Sequence, residues 1–345
     1  MNFCSDNVAG VAPQVLAAIE RANAGPAAAY GDDELSVRVS KKIADVFERD
    51  ADVFLVTTGT AANSLSLAVM TPPWGEIFCH PEAHIQIDEC GAPEFFSGGA
   101  KMTPLPSDDG KVHAEDLEAV LTAPDHGVHH VQAAAVSLTQ ASEAGTVYSP
   151  DEVRTIADLA HKHGLKVHMD GARFANALAS LGCTPAETTW KAGVDVLCFG
   201  ASKNGALAAE AVVVFDKTLA ETLAYRRKRG GHLISKMRYL AAQFDAYLTD
   251  DLWLKLARHA NAATAKLAEG LKDVPGVSFM HTPQANEIFV KLPEAVIVGL
   301  EADGFAFYRW PGDGAKAIRL VTAFNTRDED VDAFIASAIR HAGRG

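Results

Sequence analysis

Residues 130–173 read HVQAAAVSLTQASEAGTVYSPDEVRTIADLAHKHGLKVHMDGAR, and this stretch decides the fold class. Residues 130–138 are an apolar run of strand length, residues 150–163 have the apolar spacing of a helix, and residues 166–170 are again a short apolar strand. A strand, a helix and a second strand in that order form a βαβ unit, whose strands lie parallel in one sheet. Upstream, residues 53–56 make a short buried strand, and Thr57-Thr58-Gly59-Thr60 turns into an Ala-rich helix over 61–70. Downstream, residues 195–199 make a fourth strand, and 211–215 follow after too few residues for a crossover helix. That last pair is expected to be antiparallel neighbours, or neighbours joined by an extended loop. The class is therefore α/β, with a mostly parallel central sheet and helices on both faces.

Beyond residues 225–239, where the pattern is basic and irregular, a long helix is expected over 252–271. Strands at 277–280, 287–291, 305–310 and 317–322, with a helix between the second and third and a closing helix at 328–341, suit a smaller α+β unit. The expected division is a large domain with an N-terminal arm, residues 1–250, and a small C-terminal α+β domain, residues 251–345.

The chain has 345 residues, 48% hydrophobic and 22% charged, enough to bury a sizeable core. Thirty-one basic against 44 acidic residues leave a formal charge of −13, which argues against affinity for nucleic-acid backbones or anionic lipid. Residues 1–10 hold no Lys or Arg ahead of an apolar stretch, and no run of about 18 apolar residues occurs, so neither a signal peptide nor a membrane span is expected. Cys4, Cys79, Cys90, Cys183 and Cys198 are odd in number and lack a CxxC pair, which fits buried free thiols in a reducing, cytoplasmic compartment.

Three turns concentrate the chemistry. In Thr57-Thr58-Gly59-Thr60-Ala61-Ala62-Asn63 a strand ends and a helix begins, so free N–H groups and the positive end of the helix dipole meet where a phosphate could bind. A Thr N-cap without a ligand is the plainer alternative. In His168-Met169-Asp170-Gly171-Ala172-Arg173 a strand ends in an acid, a Gly and an Arg. The carboxyl ends of strands face the ligand crevice in open α/β sheets, which would bring Asp170 and Arg173 into it. The alternative is a capping Asp with a surface Arg. In Gly200-Ala201-Ser202-Lys203-Asn204-Gly205 small residues surround one Lys, whose amine is either exposed on a loop or kept partly desolvated for Schiff-base chemistry. On one sheet edge the three make a phosphate anchor, a carboxylate for a pyridine nitrogen and an amine for an aldehyde. That set is what pyridoxal 5'-phosphate (PLP) requires, a cofactor whose protonated ring is an electron sink for charge at an amino acid's Cα.

The segments Ser5-Asp6-Asn7, Tyr30-Gly31-Asp32-Asp33, Gly59-Thr60-Ala61-Ala62-Asn63, His168 to Arg173, Ser202-Lys203-Asn204-Gly205 and Ile318-Arg319-Leu320-Val321-Thr322 resemble those of low-specificity L-threonine aldolases, in the same order, from residue 3 to about residue 324. The resemblance implies a fold-type I PLP enzyme of the β-eliminating lyase and threonine aldolase superfamily. It implies a homotetramer of close dimers with shared active sites, and retro-aldol cleavage of L-threonine or L-allo-threonine to glycine and acetaldehyde. By position it implies Lys203 as the cofactor's covalent anchor, Asp170 as the partner of the pyridine nitrogen, and the N–H groups of Gly59 and Thr60 on the phosphate. His84 would lie against the cofactor ring and take the β-hydroxyl proton, directly or through water. Ser5, Arg173 and Arg319 would hold the substrate α-carboxylate, a task suited to the planar fork of Arg. Tyr30 would enter from a neighbouring subunit, and Arg238 and Lys228 would sit near the phosphate.

Where many members of that family read Glu-Asn-Thr-His, this chain reads Ser137-Leu138-Thr139-Gln140. Gln140 is thus expected to bring a neutral amide to the substrate's β-hydroxyl, where it cannot serve as a proton acceptor. Ala323-Phe324-Asn325 also lacks the His or Trp common in the family after the Arg-Leu-Val-Thr element. A phenylserine aldolase or another PLP lyase acting at Cβ shares the same apparatus, and a non-catalytic PLP-binding protein is a distant alternative. His80, His84, Asp88 and Cys90 lack the spacing of a metal site, and no metal is expected. The run Arg226-Arg227-Lys228-Arg229 reads as a solvated face or a phosphate neighbour rather than a nucleic-acid patch. The expected partner is a small amino-acid substrate, with neither nucleic acid nor membrane.

Overall fold

The computed structural model describes residues 1–124, 126–310 and 316–343. Strands β1 (Asp52–Val56), β2 (Gly75–Cys79), β3 (Lys101–Pro104), β4 (Gln132–Thr139), β5 (Lys166–Gly171), β6 (Val196–Gly200) and β7 (Glu210–Val214) form one sheet in the order β1-β7-β6-β5-β4-β2-β3. The pairs β6–β5, β5–β4, β4–β2 and β2–β3 are parallel, and β7 is antiparallel to both its neighbours, β6 and β1. Six strands therefore run one way and β7 alone runs back, as the short 200–210 connection requires. The carboxyl ends of β1, β4, β5 and β6 all reach the same edge.

Both faces of this sheet are covered, and the side-chain period of two divides the apolar residues between two cores. Leu197 and Phe199 of β6 point into one core, Val196 and Cys198 into the other. Phe199 is the hub of the first, with the rings of Phe47, Phe174, Phe244 and Trp253 centred 5.4 to 5.8 Å away. Helix Pro150–Lys162 covers this face with Val153, Ile156, Ala157 and Ala160, and it starts on a capping box in which Ser149 and Glu152 bond each other's backbone, with Pro150 in the first turn. On the opposite face, helix Gly59–Met70 buries nearly all its length because its small Ala and Ser residues let it lie close to the strands.

Helix Leu252–Leu271 leads from the large sheet to a second, antiparallel one in the order β10 (Tyr308–Trp310), β11 (Ala317–Val321), β9 (Glu287–Lys291), β8 (Ser278–Phe279). Its core takes in Phe3 from the N-terminal arm. Phe3 N–H donates to the Ala306 carbonyl and Val321 N–H to the Phe3 carbonyl, each at 2.8 Å. The arm is thus stitched to the C-terminal unit, and residues 5–7 emerge beside the edge of the large sheet.

The structure differs from expectation in three places. Strands β2 and β3 carry too few residues and too many Gly and Pro neighbours to stand out in the sequence. The basic region is ordered as helix Ala220–Arg229 and helix Arg238–Leu248; Arg226 and Arg227 are tied to the carbonyls of Phe96 and Leu55. All five cysteines are free, but only Cys79 and Cys198 are buried, and Cys90 is exposed. Among the described residues no helix is long and apolar enough to cross a membrane.

Candidate active site

A cavity of about 330 Å³ opens at the carboxyl edge of the large sheet, and Gly59, Thr60, His84, Asp170, Arg173 and Lys203 all line it. That is within the size range of small-molecule sites. At the end of β1, Thr58 caps helix Gly59–Met70 by accepting the Ala61 N–H at 3.1 Å. Among the described residues nothing bonds the N–H groups of Gly59 and Thr60. An added Cβ at Gly59 would meet nothing within 4 Å. The helix end is both capped and open to an anion, so the two readings of this turn are compatible.

At the end of β5, Asp170 is buried between Thr139 of β4 and Cys198 of β6. Its Oδ2 accepts from Asn63 Nδ2 at 2.7 Å and its Oδ1 from the Ala172 N–H at 2.9 Å, which fixes the carboxylate's plane. Two residues earlier His168 is fully buried, with Nδ1 on Ser137 Oγ and Nε2 beside Cys198 Sγ; burial lowers its pKa to about 4, so it is a neutral core residue. Past β6, Lys203 lies in the single turn Ser202–Asn204, held from below by Asn204, whose Nδ2 donates to Tyr247 Oη and the Trp253 carbonyl. No hydrogen bond or ion pair engages the Lys203 amine among the described residues.

His84 follows a loop after β2. Its Nδ1 shares a proton with Glu89 Oε1 at 2.8 Å, and that bond raises its pKa, opposed by burial and supported by the charge of Asp170. Three buried acceptor atoms on the walls have no partner: Asn63 Oδ1, Glu89 Oε2 and Glu143 Oε2.

The remaining expected residues do not all arrive here. Gln140 is a correction. It is fully buried and faces away from the cavity, with Nε2 donating to the Tyr148 carbonyl at 2.8 Å and Oε1 accepting the Tyr148 N–H at 3.0 Å; its flanking residues Thr139 and Ala141 line the wall instead. Gln140 follows the last residue of β4, and its amide is turned inward by the paired N–H and carbonyl of Tyr148. Arg173 reaches the cavity, but Asp6 takes its Nε and Nη2 at 2.8 and 3.1 Å, and Glu287 its Nη1 at 3.2 Å. Ser5 uses its hydroxyl to accept the Asn7 N–H. Arg319 lies outside the lining, stacked over Tyr308 and Trp310, with Nη2 on the Cys4 carbonyl and a buried, unpartnered Nε. Tyr30, Lys228 and Arg238 do not line the cavity of their own chain. They gather elsewhere: Lys228 Nζ stands 4.6 Å over the half-exposed Tyr30 ring, and Tyr30 N–H donates to the Ser235 carbonyl, three residues before Arg238.

A profile of the Beta-eliminating lyase family matches residues 2–295. The chain belongs to the β-eliminating lyase family. It is similar to a low specificity L-threonine aldolase of Pseudomonas aeruginosa, 46% identical over 95% of this chain and 94% of that one. It also resembles a solved threonine aldolase of Leishmania major, at 28% identity and a TM-score of 0.93 over 99% of each chain. The serine palmitoyltransferase of Sphingomonas wittichii shares the fold alone, at 18% identity and a TM-score of 0.74 over 100% of this chain and 87% of that one. For this β-eliminating lyase, sequence reasoning missed Asp6, Glu89, Glu143, Glu210 and Glu287. Asp6 opens a short turn of helix inside a segment read for Ser5, and the four glutamates sit in loops or at strand starts where a lone acid has no distinguishing neighbour. Burial pushes the Glu143 and Glu210 carboxyls up to about 7.

Proposed function

We propose that this chain is a PLP-dependent aldehyde-lyase that cleaves L-threonine or L-allo-threonine to glycine and acetaldehyde. One observation carries the reading. A free amine, a braced carboxylate and an open pair of helix N-terminal N–H groups converge on one cavity from the ends of three parallel strands. The residues fit the cofactor: Gly59 and Thr60 would take its phosphate, Asp170 its pyridine nitrogen, and Lys203 its aldehyde. When bound, PLP supplies an electron sink for the pair left at the amino acid's Cα. Asn63 and the Ala172 N–H hold the Asp170 carboxylate in place for that contact, and a charge-assisted bond of this kind contributes roughly 1.5 to 3 kcal/mol. Arg319, with its unpartnered Nε, is the freer of the two arginines for the substrate α-carboxylate; Arg173 mainly fixes the arm through Asp6. The identity to curated threonine aldolases supports the substrate class.

Tyr30 and Lys228 pack together outside their own cavity, and Arg238 also lies outside it on the Gly25 carbonyl, which supports a second copy of the chain presenting them to this site, as in a homotetramer of close dimers. The cytoplasmic setting rests on the five free cysteines.

The test is the visible absorption spectrum of purified protein with PLP, before and after L-threonine, beside aldehyde release. Wild type should show a cofactor band that shifts with substrate. Lys203→Ala should lose the covalent band and turnover together; aldehyde release near the wild-type rate in that variant would overturn the assignment.

A further inference from the structure

The reading above leaves three acids of the cavity, Glu89, Glu143 and Glu210, without a task, and Glu143 is the one whose surroundings suit the chemistry. Glu143 lies in the loop after β4, and its two carboxyl oxygens have different surroundings. Oε1 accepts the His84 backbone N–H at 2.8 Å. Oε2 is screened from solvent and makes no hydrogen bond of normal geometry, the Thr139 hydroxyl being the side-chain donor beside the carboxyl, and both residues line the cavity wall. A buried acceptor with nothing donating to it is costly, unless a ligand brings the donor.

The other groups on this side are more fully committed. Asp170 accepts from Asn63 and Ala172, and Glu89, although its Oε2 is also unpartnered, holds both Asn63 Nδ2 and His84 Nδ1 on Oε1 and so serves as the counter-charge of the imidazole. The His84 imidazole is drawn toward its cationic form by Glu89, and a cationic ring donates rather than accepts. Gln140 is turned away, and the Glu210 carboxyl is bonded to Ser202 within the field of Lys203.

We propose that Glu143 is the catalytic acceptor of the substrate's β-hydroxyl proton. The inference rests on the lyase reading above. The hydroxyl proton passes to Oε2, the O–H electron pair becomes the second C–O bond of the aldehyde, and the Cα–Cβ bond breaks with its pair left on Cα. A proton then takes the aldehyde's place at Cα and gives glycine, so no oxidant or reductant is needed. Burial and the nearby charge of Asp170 hold the carboxyl near the pH at which it must work. Arg173, Tyr148 and Cys79 also face it; burial pushes both the Tyr148 phenol and the Cys79 thiol up, so both stay neutral, and Arg173 stays charged.

The experiment compares PLP-loaded wild type with Glu143→Gln, which keeps the shape and a carbonyl acceptor for the His84 N–H. Three quantities are read: the glycine concentration that half-shifts the visible band, exchange of the glycine α-proton with heavy water, and aldehyde release from L-threonine across the neutral pH range. Glycine has no β-hydroxyl, so its binding and exchange should stay within about threefold of wild type. Aldehyde release should fall roughly 10²- to 10⁴-fold, and the low-pH limb of kcat/KM should vanish. Aldehyde release near wild type with the limb retained would overturn the proposal, and so would a parallel loss of all three quantities, which would mark Glu143 as a brace for the His84 loop. If the glutamine variant does not fold, Glu143→Ala takes its place. Added formate should then restore part of its aldehyde release, and no recovery overturns the proposal. A wild-type protein that takes up PLP yet releases no aldehyde, or takes up none, defeats the lyase reading itself and this proposal with it.

Discussion

Burial sets the protonation of individual residues in and beneath the cavity. His168 is neutral because burial lowers its pKa, and Glu210 is drawn toward its neutral acid because burial raises it to about 7 from an ordinary 4.5. For Glu210 the sign follows from linkage: the folded chain holds a proton that the unfolded chain has released, so stability from this group is complete below its ordinary value and is lost as pH rises through about 7. Glu210→Gln removes that dependence. Its Tm should exceed wild type by a margin that grows from about pH 5 to about pH 8; a constant difference would show that Glu210 does not titrate in this window. The Asp170 carboxylate is held differently, by two fixed donors, which is why Asn63 matters to the site although it lies on the helix that offers its end to an anion.

Helix and strand ends position these residues, so their caps carry consequences. Helix Pro150–Lys162 braces β5 from behind, and its capping box satisfies two backbone N–H groups at once. Ser149→Ala should lower stability by about 1 kcal/mol, read as a lower denaturant midpoint at unchanged slope. An unmoved midpoint would mean that water replaces the cap without loss. Gly171 and Gly200 let the ends of β5 and β6 come together. A Cβ at Gly171 would stand 2.6 Å from the Cys198 carbonyl oxygen, and one at Gly200 would stand 2.8 Å from Ala172 Cα. Asp170, at the end of β5, and Lys203, just past β6, face one cavity.

At the scale of the molecule, the N-terminal arm and the patch around Tyr30 are the features that local structure leaves unexplained. Phe3 anchors the arm in the C-terminal core and Asp6 clamps Arg173, so the arm ties that core to the wall of the site. Under the proposed assembly, Lys203→Ala chains should be inactive and Arg238→Ala chains weakly active when each is alone. After they are mixed and allowed to exchange subunits, activity should recover in part, because one mixed site regains both Lys203 and Arg238. No recovery despite demonstrated exchange would place Arg238 in the service of its own chain or of none.

The βαβ order, the antiparallel return of β7, the two sheets and the turns carrying Gly59, Asp170 and Lys203 were legible in the sequence, since each depends on local periodicity and on strand ends. Gln140 was misjudged in direction, Arg173 reaches the cavity as expected but is engaged by Asp6 and Glu287, and Glu143 went unnoticed. Which way a side chain turns at a strand's end, and which acid finds a donor, are settled by groups beyond the local pattern: the Tyr148 backbone across a loop for Gln140, and neighbours far away in the chain for Asp170 and Arg173, namely Asn63 and Asp6. Local pattern determines where the chain turns, whereas burial and long-range pairing, which exist only once the chain is folded, decide which groups at that turn remain free to react.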